Sequence, residues 1–322
     1  MVPENLPYDA VKNKIEQASS ITILSHLNPD ADTLGTALGL YALLSAEKKF
    51  KVEVVNASTA LPLYLDFLPN FKKIKHQMEY ADSLILSCDC GSVDRLGFDL
   101  NGRDIINIDH HQSNTHYGTV NVVIPEYASA SQVAFALFKR LYPVTADAAT
   151  CFYTALLSDT RFFTTASVNE EVFSVAQELL QAGVLPDEIA RHFTQRRPLS
   201  SLRILERALG SLSLYHEAKI ATLMVSSEDI EATGATVPDM EGIVDYARSL
   251  ATVEIALFAM ELKEGIRISL RSKKVDVSKV AMAFGGGGHK VAAGFTLAQS
   301  GLQESIDTIL EKIEELGLLN EK

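Results

Sequence analysis

The sequence predicts an α/β protein, with an N-terminal parallel-sheet domain followed by a smaller C-terminal α/β domain. Two observations carry this. Across the first 195 residues, short apolar runs alternate with helical segments, the pattern of parallel strands joined by crossover helices. Past residue 210 the pattern changes to longer strand-like runs, with helices between and after them. The composition, 47% hydrophobic and 22% charged over 322 residues, supplies enough apolar material for two ordinary cores.

Taken in order, residues 9–19 read as an entry helix and 21–25 (ITILS) as the first strand. The stretch after Asp32, TLGTALGLYALLSA, is apolar all round, as expected of a buried helix, and its small residues permit close packing. Further strands are expected at 51–56, 83–89, 104–109 and 119–124, and helices at about 129–142, 146–158, 170–181 and 186–193. QRRPLSSLRILERALG reads as a helix-containing connection. The expected organisation is therefore 1–195, a connecting region 196–210, and 211–322. Strand-like runs in the last part are 211–215, 219–225, 252–260 and 265–272. A cleft between two domains is a natural ligand site, and the active site is expected there.

The formal net charge is −12. That disfavours a protein built to hold long duplex nucleic acid, which wants a basic face. A small anionic substrate stays compatible, because bound cations supply positive charge locally. No run of 18 apolar residues and no signal-peptide core occurs, so a cytoplasmic protein without a membrane span is expected. The three cysteines, Cys88, Cys90 and Cys151, make no disulfide framework. Cys88 and Cys90 flank Asp89. Strand alternation would point both away from it, as two buried thiols beside a functional carboxylate.

Three strands run into the same chemistry. The first ends in His26, with Asp30 and Asp32 in the turn that follows; the third ends in Asp89; the fourth ends in Asp109, His110 and His111. Ligands of an open parallel sheet bind at the carboxyl ends of its strands, so these groups should meet on one edge. Asp159, closing the helical run CFYTALLS, is a fourth contributor. So many carboxylates cannot all ionise together without compensation, and divalent cations are the simplest compensation. A mixed Asp and His set suits Mn²⁺, Zn²⁺, Fe²⁺ or Co²⁺ better than Ca²⁺, and more than four ligands suggests two ions. Each residue has an ordinary reading too. His26 and Asp109 suit strand-end caps, and Asp30 and Asp32 suit turn and N-cap positions.

The segments SHLNPDADTLGTALGL, SCDCGSVDRLG, NIDHHQSN and LLSDT resemble the four motifs of the DHH phosphoesterases, and RSKKVDVSKVAMAFGGGGHKVAAGF resembles the DHHA1 domain. The chain is similar throughout to the nanoRNase and 3′-phosphoadenosine 5′-phosphate (pAp) phosphatase subfamily, of the NrnA type. The resemblance implies a two-metal hydrolase, with Mn²⁺ as its ion. One ion would be held by His26, Asp30 and Asp89, the other by Asp32, Asp89, His110 and Asp159. Asp109 would orient a histidine, and His111 would contact the scissile phosphate. The implied substrate-binding positions are Arg248, Arg271, Ser272 and Lys273, with Gly286, Gly287, Gly288 and His289 of the GGGGHK run. There, a helix starting near Lys290 would favour an anion at its N-terminus. Expected partners are short RNA or DNA oligonucleotides, linear dinucleotides such as pApA and pGpG, and pAp, with a homodimer as the assembly considered. Motif four departs from the family in carrying Arg161 where glycine is common, which bears on pocket shape.

Three other functions fit the sequence less well. An inorganic pyrophosphatase of the same superfamily shares the N-terminal motifs but carries a different C-terminal domain. A RecJ-like exonuclease wants a longer, less acidic chain. A non-enzymatic nucleotide sensor would lose the metal ligands.

Overall fold

The computed structural model describes residues 6–298 and 301–319; the outermost parts of the two expected domains, 1–5 and 320–322, lie outside them. The chain divides into two compact units, 1–196 and 197–322.

The first unit begins with α1 (Tyr8–Gln17), β1 (Ser20–Ser25), α2 (Ala31–Ala46) and β2 (Lys51–Val55). It continues through β3 (Ile74–Lys75), β4 (Leu84–Cys88), β5 (Ile105–Asp109) and β6 (Val120–Val123), and closes with α3 (Ala130–Phe138), α4 (Ala146–Asp159), α5 (Glu170–Gln181) and α6 (Pro186–Thr194). All six strands are parallel, in the order β3-β2-β1-β4-β5-β6. Strand order reverses between β1 and β4, and an open parallel sheet gathers ligands outside the carboxyl ends at such a switch point. The strand β3, unforeseen in the sequence, pairs only its two residues with Val54 and Val55.

The two faces of this sheet differ. One carries Ile21, Ile23, Leu84, Leu86, Ile106 and Ile108 into a core shared with the helices. The other mixes Leu24, Val55 and Ile85 with buried polar groups. Burying a polar group is tolerable only when it is hydrogen-bonded. Glu53 meets this by accepting from Thr22 Oγ1, Lys75 Nζ and the backbone N–H groups of Glu79 and Tyr80. Cys88 lies in the first core and Cys90 in the second. The expectation that both thiols share a face is therefore corrected. Asp89 between them has φ +54°, and this left-handed turn ends the strand alternation.

The helix α2 is largely apolar and packs against α4, with Gly35 set against the α4 backbone. A Cβ there would stand 2.7 Å from the Cys151 carbonyl oxygen and 2.8 Å from Ala155 Cβ. Alanine is normally the better helix former by about 1 kcal/mol. Overpacking against backbone costs ~1–3 kcal/mol and outweighs that gain. Gly35→Ala is thus expected to lower stability in urea denaturation by up to about 2 kcal/mol net. An unchanged or raised midpoint would refute this packing.

The second unit opens with α7 (Leu199–Gly210), which the sequence suggested as a connection. It buries Ile204 and Ala208 in the second unit's own core. Then follow β7 (Ser213–Tyr215), β8 (Ile220–Val225), α8 (Ser227–Thr233), α9 (Ile243–Arg248), β9 (Ile255–Leu262) and β10 (Gly265–Ser272). The unit ends with α10 (Ser278–Ala283), β11 (Gly287–His289), β12 (Ala292–Leu297) and α11 (Leu302–Glu315). Its sheet is mixed, in the order β11-β12-β10-β9-β8-β7, with only the β8–β9 pair parallel. No helix expected near Lys290 forms. Gly287–His289 instead pairs antiparallel with Ala292–Gly294 in a hairpin, which occupies the backbone a helix would need. Among the described residues no helix is long and apolar enough to cross a membrane.

Candidate active site

The sequence-predicted ligands of the first unit meet at the carboxyl edge of its sheet. Three groups have candidate ligand atoms within 4.8 Å of one another: His26 with Asp30 and Asp89, Asp32 with His110 and Asp159, and Asp89 with His110 and His111. Asp89 and His110 belong to two groups each, which joins all three.

Local structure aims each side chain. Asp30 is the N-cap of α2 and accepts from the N–H groups of Asp32 and Thr33, so its capping role and its place in the cluster coexist. Asp32, fully buried, accepts from the N–H groups of Ala130 and Ser131 at the start of α3 and from Thr36 Oγ1. All three histidines have Nδ1 engaged: His26 with the Leu27 carbonyl at 2.8 Å, His110 with the Tyr127 carbonyl at 3.2 Å, and His111 with Asp109 Oδ1 at 2.7 Å. Donation from Nδ1 leaves each Nε2 as the ligand-capable nitrogen. His26 Nε2 is 3.6 Å from Asp89 Oδ2, and His110 Nε2 is 3.6 Å from a carboxylate oxygen of each of Asp32, Asp89 and Asp159.

Those 3.6 Å separations are too long for hydrogen bonds. They suit atoms that share a third partner, since ligands about 2.0–2.2 Å from one ion stand roughly 3.4 Å apart at a tetrahedral angle. Asp89 Oδ1 is buried and has no hydrogen-bond donor. A buried carboxylate oxygen left so is costly unless a cation meets it. The donor set and this orphaned oxygen fit divalent metal.

The electrostatics agree. Burial, and then the neighbouring carboxylates, push Asp32 and Asp89 well above the usual carboxylate range. Asp159 at the rim moves the same way, from partial burial first. Burial pushes His26 down, toward the neutral form that ligates metal. Asp109 differs. Burial works to raise it, but hydrogen bonds from His111 and Asn114 hold it below the usual range, so it stays ionised. Its hydrogen bond in turn raises His111.

Asn114, inside the NIDHHQSN segment, was given no role by sequence reasoning. Its Nδ2 donates to Asp109 Oδ2 at 2.5 Å and its Oδ1 accepts from Asn107. Thr33 was also missed. Its hydroxyl accepts from the His26 N–H and donates to the Cys88 carbonyl, locking β1 to β4 at the switch point. An Asn three residues after an Asp-His-His run was the available signal for the first; nothing marked the second.

In the second unit, Arg271, Gly287 and Gly288 line a hollow of about 560 Å³ with Arg267 and Phe295. The other expected residues are otherwise engaged. Arg248 pairs with Asp245 at 2.8 Å, Ser272 donates to the Val275 carbonyl, and Lys273 donates to the carbonyls of Leu250 and Ala251. Gly286 is demanded by packing, since a Cβ would meet the Gly294 carbonyl and Phe295 at 2.4 Å. His289 is exposed on β11. A hollow of about 360 Å³ in the first unit, lined by Phe98, Arg103 and Tyr117 among others, includes no residue of the acidic cluster.

Residues 20–156 match the DHH family, N-terminal domain, and residues 218–316 match the DHHA1 domain. A Thermus thermophilus protein named bifunctional oligoribonuclease and PAP phosphatase NrnA is 32% identical over 300 residues, 92% of this chain and 89% of its own. A Bacillus subtilis protein of the same name is 23% identical over 92% of this chain and 94% of its own. The crystal structure of an exopolyphosphatase-related protein from Bacteroides fragilis superposes with a TM-score of 0.88 at 29% identity, covering 96% of each chain. With the strand-end cluster, the paired domains and relatives matched over nearly their full lengths, the chain belongs to the DHH family of phosphoesterases, joining its N-terminal domain to a DHHA1 domain.

Proposed function

We propose that this protein is a cytoplasmic, Mn²⁺-dependent phosphoesterase that hydrolyses short oligonucleotides, linear dinucleotides such as pApA and pGpG, and pAp, using two ions. The observation that carries this reading is the buried, undonated Oδ1 of Asp89, which faces His110 and His111 while its Oδ2 faces His26. In this reading His26, Asp30 and Asp89 hold one ion, and Asp32, Asp89, His110 and Asp159 the other. Divalent cations there would supply positive charge against phosphoryl oxygens and lower the pKa of water from ~15.7 toward ~7.

The chain's own residues do the rest. Asp109 fixes the His111 ring through Nδ1 and favours its protonated form. His111 can then present Nε2–H to the scissile phosphate and stabilise charge growing on its oxygens. Burial and mutual repulsion disfavour the ionised forms of Asp32, Asp89 and Asp159, so bound cations would favour their ionised, ligating forms. In the second unit, Arg271 beside Gly287 and Gly288 offers a cation and exposed backbone suited to an anionic ligand. The support for these substrates over others is the 32% identity to the Thermus thermophilus oligoribonuclease and PAP phosphatase.

A panel of pAp, pApA, pGpG, a five-mer and pyrophosphate, each with Mn²⁺ or Mg²⁺, tests the reading. Turnover of pAp and the short nucleotides is expected, strongest with Mn²⁺ and absent in EDTA. Pyrophosphate hydrolysis with none of pAp would move the chain to the pyrophosphatase function.

A further inference from the structure

We propose that Tyr64, Phe162 and Phe193 form an aromatic platform on which a nucleobase of the substrate stacks; this rests on the nucleotide-hydrolysing reading above. These residues are about 30 and 100 positions apart in sequence, but topology brings their segments to one edge. Because β3 pairs with only the last two residues of β2, the 56–73 connection that carries Tyr64 stays at the carboxyl edge of the sheet. Asn28 N–H donates to Ser58 Oγ at 2.9 Å, tying that connection to the loop between His26 and Asp30. Phe162 lies three residues after Asp159.

The backbone there is unusual. Arg161, Phe162 and Phe163 have φ of +46°, +59° and +61°, three successive left-handed residues without a glycine. Such runs persist only where the surroundings enforce them, and they cluster at functional sites. Here the Phe162 N–H donates to the Leu157 carbonyl, the Phe163 N–H to Thr160 Oγ1, and Thr164 Oγ1 to the Arg161 carbonyl. The result turns a phenyl ring outward. Phe162 is 42% exposed, as is Tyr64. The exposed rings are braced from behind. Phe193 meets Phe162 at 5.7 Å and Phe67 at 6.2 Å edge-on and Tyr64 at 6.1 Å at a tilt, and Phe67 stacks on His192 at 4.0 Å. An Arg196–Asp66 ion pair at 2.6 Å fastens the end of α6 to the 56–73 connection.

A rigid aromatic surface at the sheet edge that holds a phosphoesterase cluster suits a ligand with a flat ring near a phosphate. Nucleobases have both, and stacking accepts every base. Arg161, next to Phe162 in sequence, brings a cation whose charge acts on Asp159. The platform would favour nucleotides over phosphate esters that lack a base.

Two measurements test this. First, wild-type enzyme should show a KM for pApA roughly tenfold or more below that for the analogue with one base removed, and Phe162→Ala should collapse the ratio toward one with kcat for pApA little changed. Second, the chain has no tryptophan, so Phe162→Trp provides a single reporter and a conservative replacement. Its fluorescence should be quenched saturably by AMP and not by ribose 5-phosphate, and its KM should stay near wild type. An unchanged KM ratio in Phe162→Ala, or no selective quenching, overturns the platform. So does wild-type self-association that Phe162→Ala abolishes, which would assign these rings to a second copy of the chain. Selective quenching in a protein that hydrolyses no nucleotide would keep the platform and remove the functional reading instead.

Discussion

Asp89→Asn is expected to cut turnover of pAp and short oligonucleotides by about 10²–10³-fold or more, the scale set by losing one key charge contact in a transition state. Among the described residues, Asp89 is the one carboxylate facing both the His26 and the His110 groups. Asparagine keeps its size and tolerates the left-handed backbone at φ +54°, so the fold should survive. The metal-free protein should even gain stability. Asp89 is raised in the folded chain by burial, then by Asp32, Asp30 and Asp109. A group so raised gives stability that is fully present below its unfolded value, near 3.9, and lost as pH rises through the folded value. In EDTA at pH 8, Asp89→Asn should therefore melt above wild type, and the gap should close as pH falls toward about 4. Mn²⁺ should raise the melting temperature of wild type much more than that of the variant. Wild-type turnover by Asp89→Asn would end the bridging assignment, and a lower metal-free melting temperature at pH 8 would end the electrostatic one.

Asp109→Ala should act in the opposite sense on stability. Asp109 accepts from the N–H groups of His110 and His111, from His111 Nδ1 and from Asn114 Nδ2. Removing one partner from a buried network of this kind costs ~3–5 kcal/mol. Loss of the carboxylate that orients a site histidine typically lowers activity by ~10–100-fold. Because its hydrogen bonds hold Asp109 below the usual range, burial notwithstanding, its contribution is present above its unfolded pKa and lost as pH falls through the folded value. The destabilisation should thus be full at pH 7 and shrink in acid, which urea titrations at pH 7 and pH 3 can read. A variant as stable as wild type at pH 7 would deny the network its role.

Much of the first unit was legible because a buried parallel strand announces itself as a short apolar run, and β1, β4 and β5 run into or end on His26, Asp89 and Asp109. The carboxyl-edge rule then brings His26, Asp89 and Asp109 together without side-chain coordinates. Less legible features depend on contacts distant in sequence or on special backbone. The two residues of β3 carry no periodicity. The left-handed turn at Asp89, invisible to a pattern of alternating faces, sends Cys88 and Cys90 into different cores. Four glycines before His289 permit a loop, a helix start or a hairpin, and pairing with Ala292–Gly294 decides among them. Ser272 and Lys273 look like anion binders as letters, yet local carbonyls accept from both. The aromatic surface joins Tyr64 to Phe193 across nearly 130 residues, a proximity that only the folded chain reveals.

The order in which the strands and helices supply the site also bears on how the protein matures. Its contributors run from His26 to Asp159, the last residue of α4, so a nascent chain halted before α4 would present a crowd of uncompensated negative charge with one side missing. Domains fold from the N-terminus during synthesis. Cation capture should thus come late, after residue 159 has cleared the ribosome, making ion uptake the step that seals the first half of the chain.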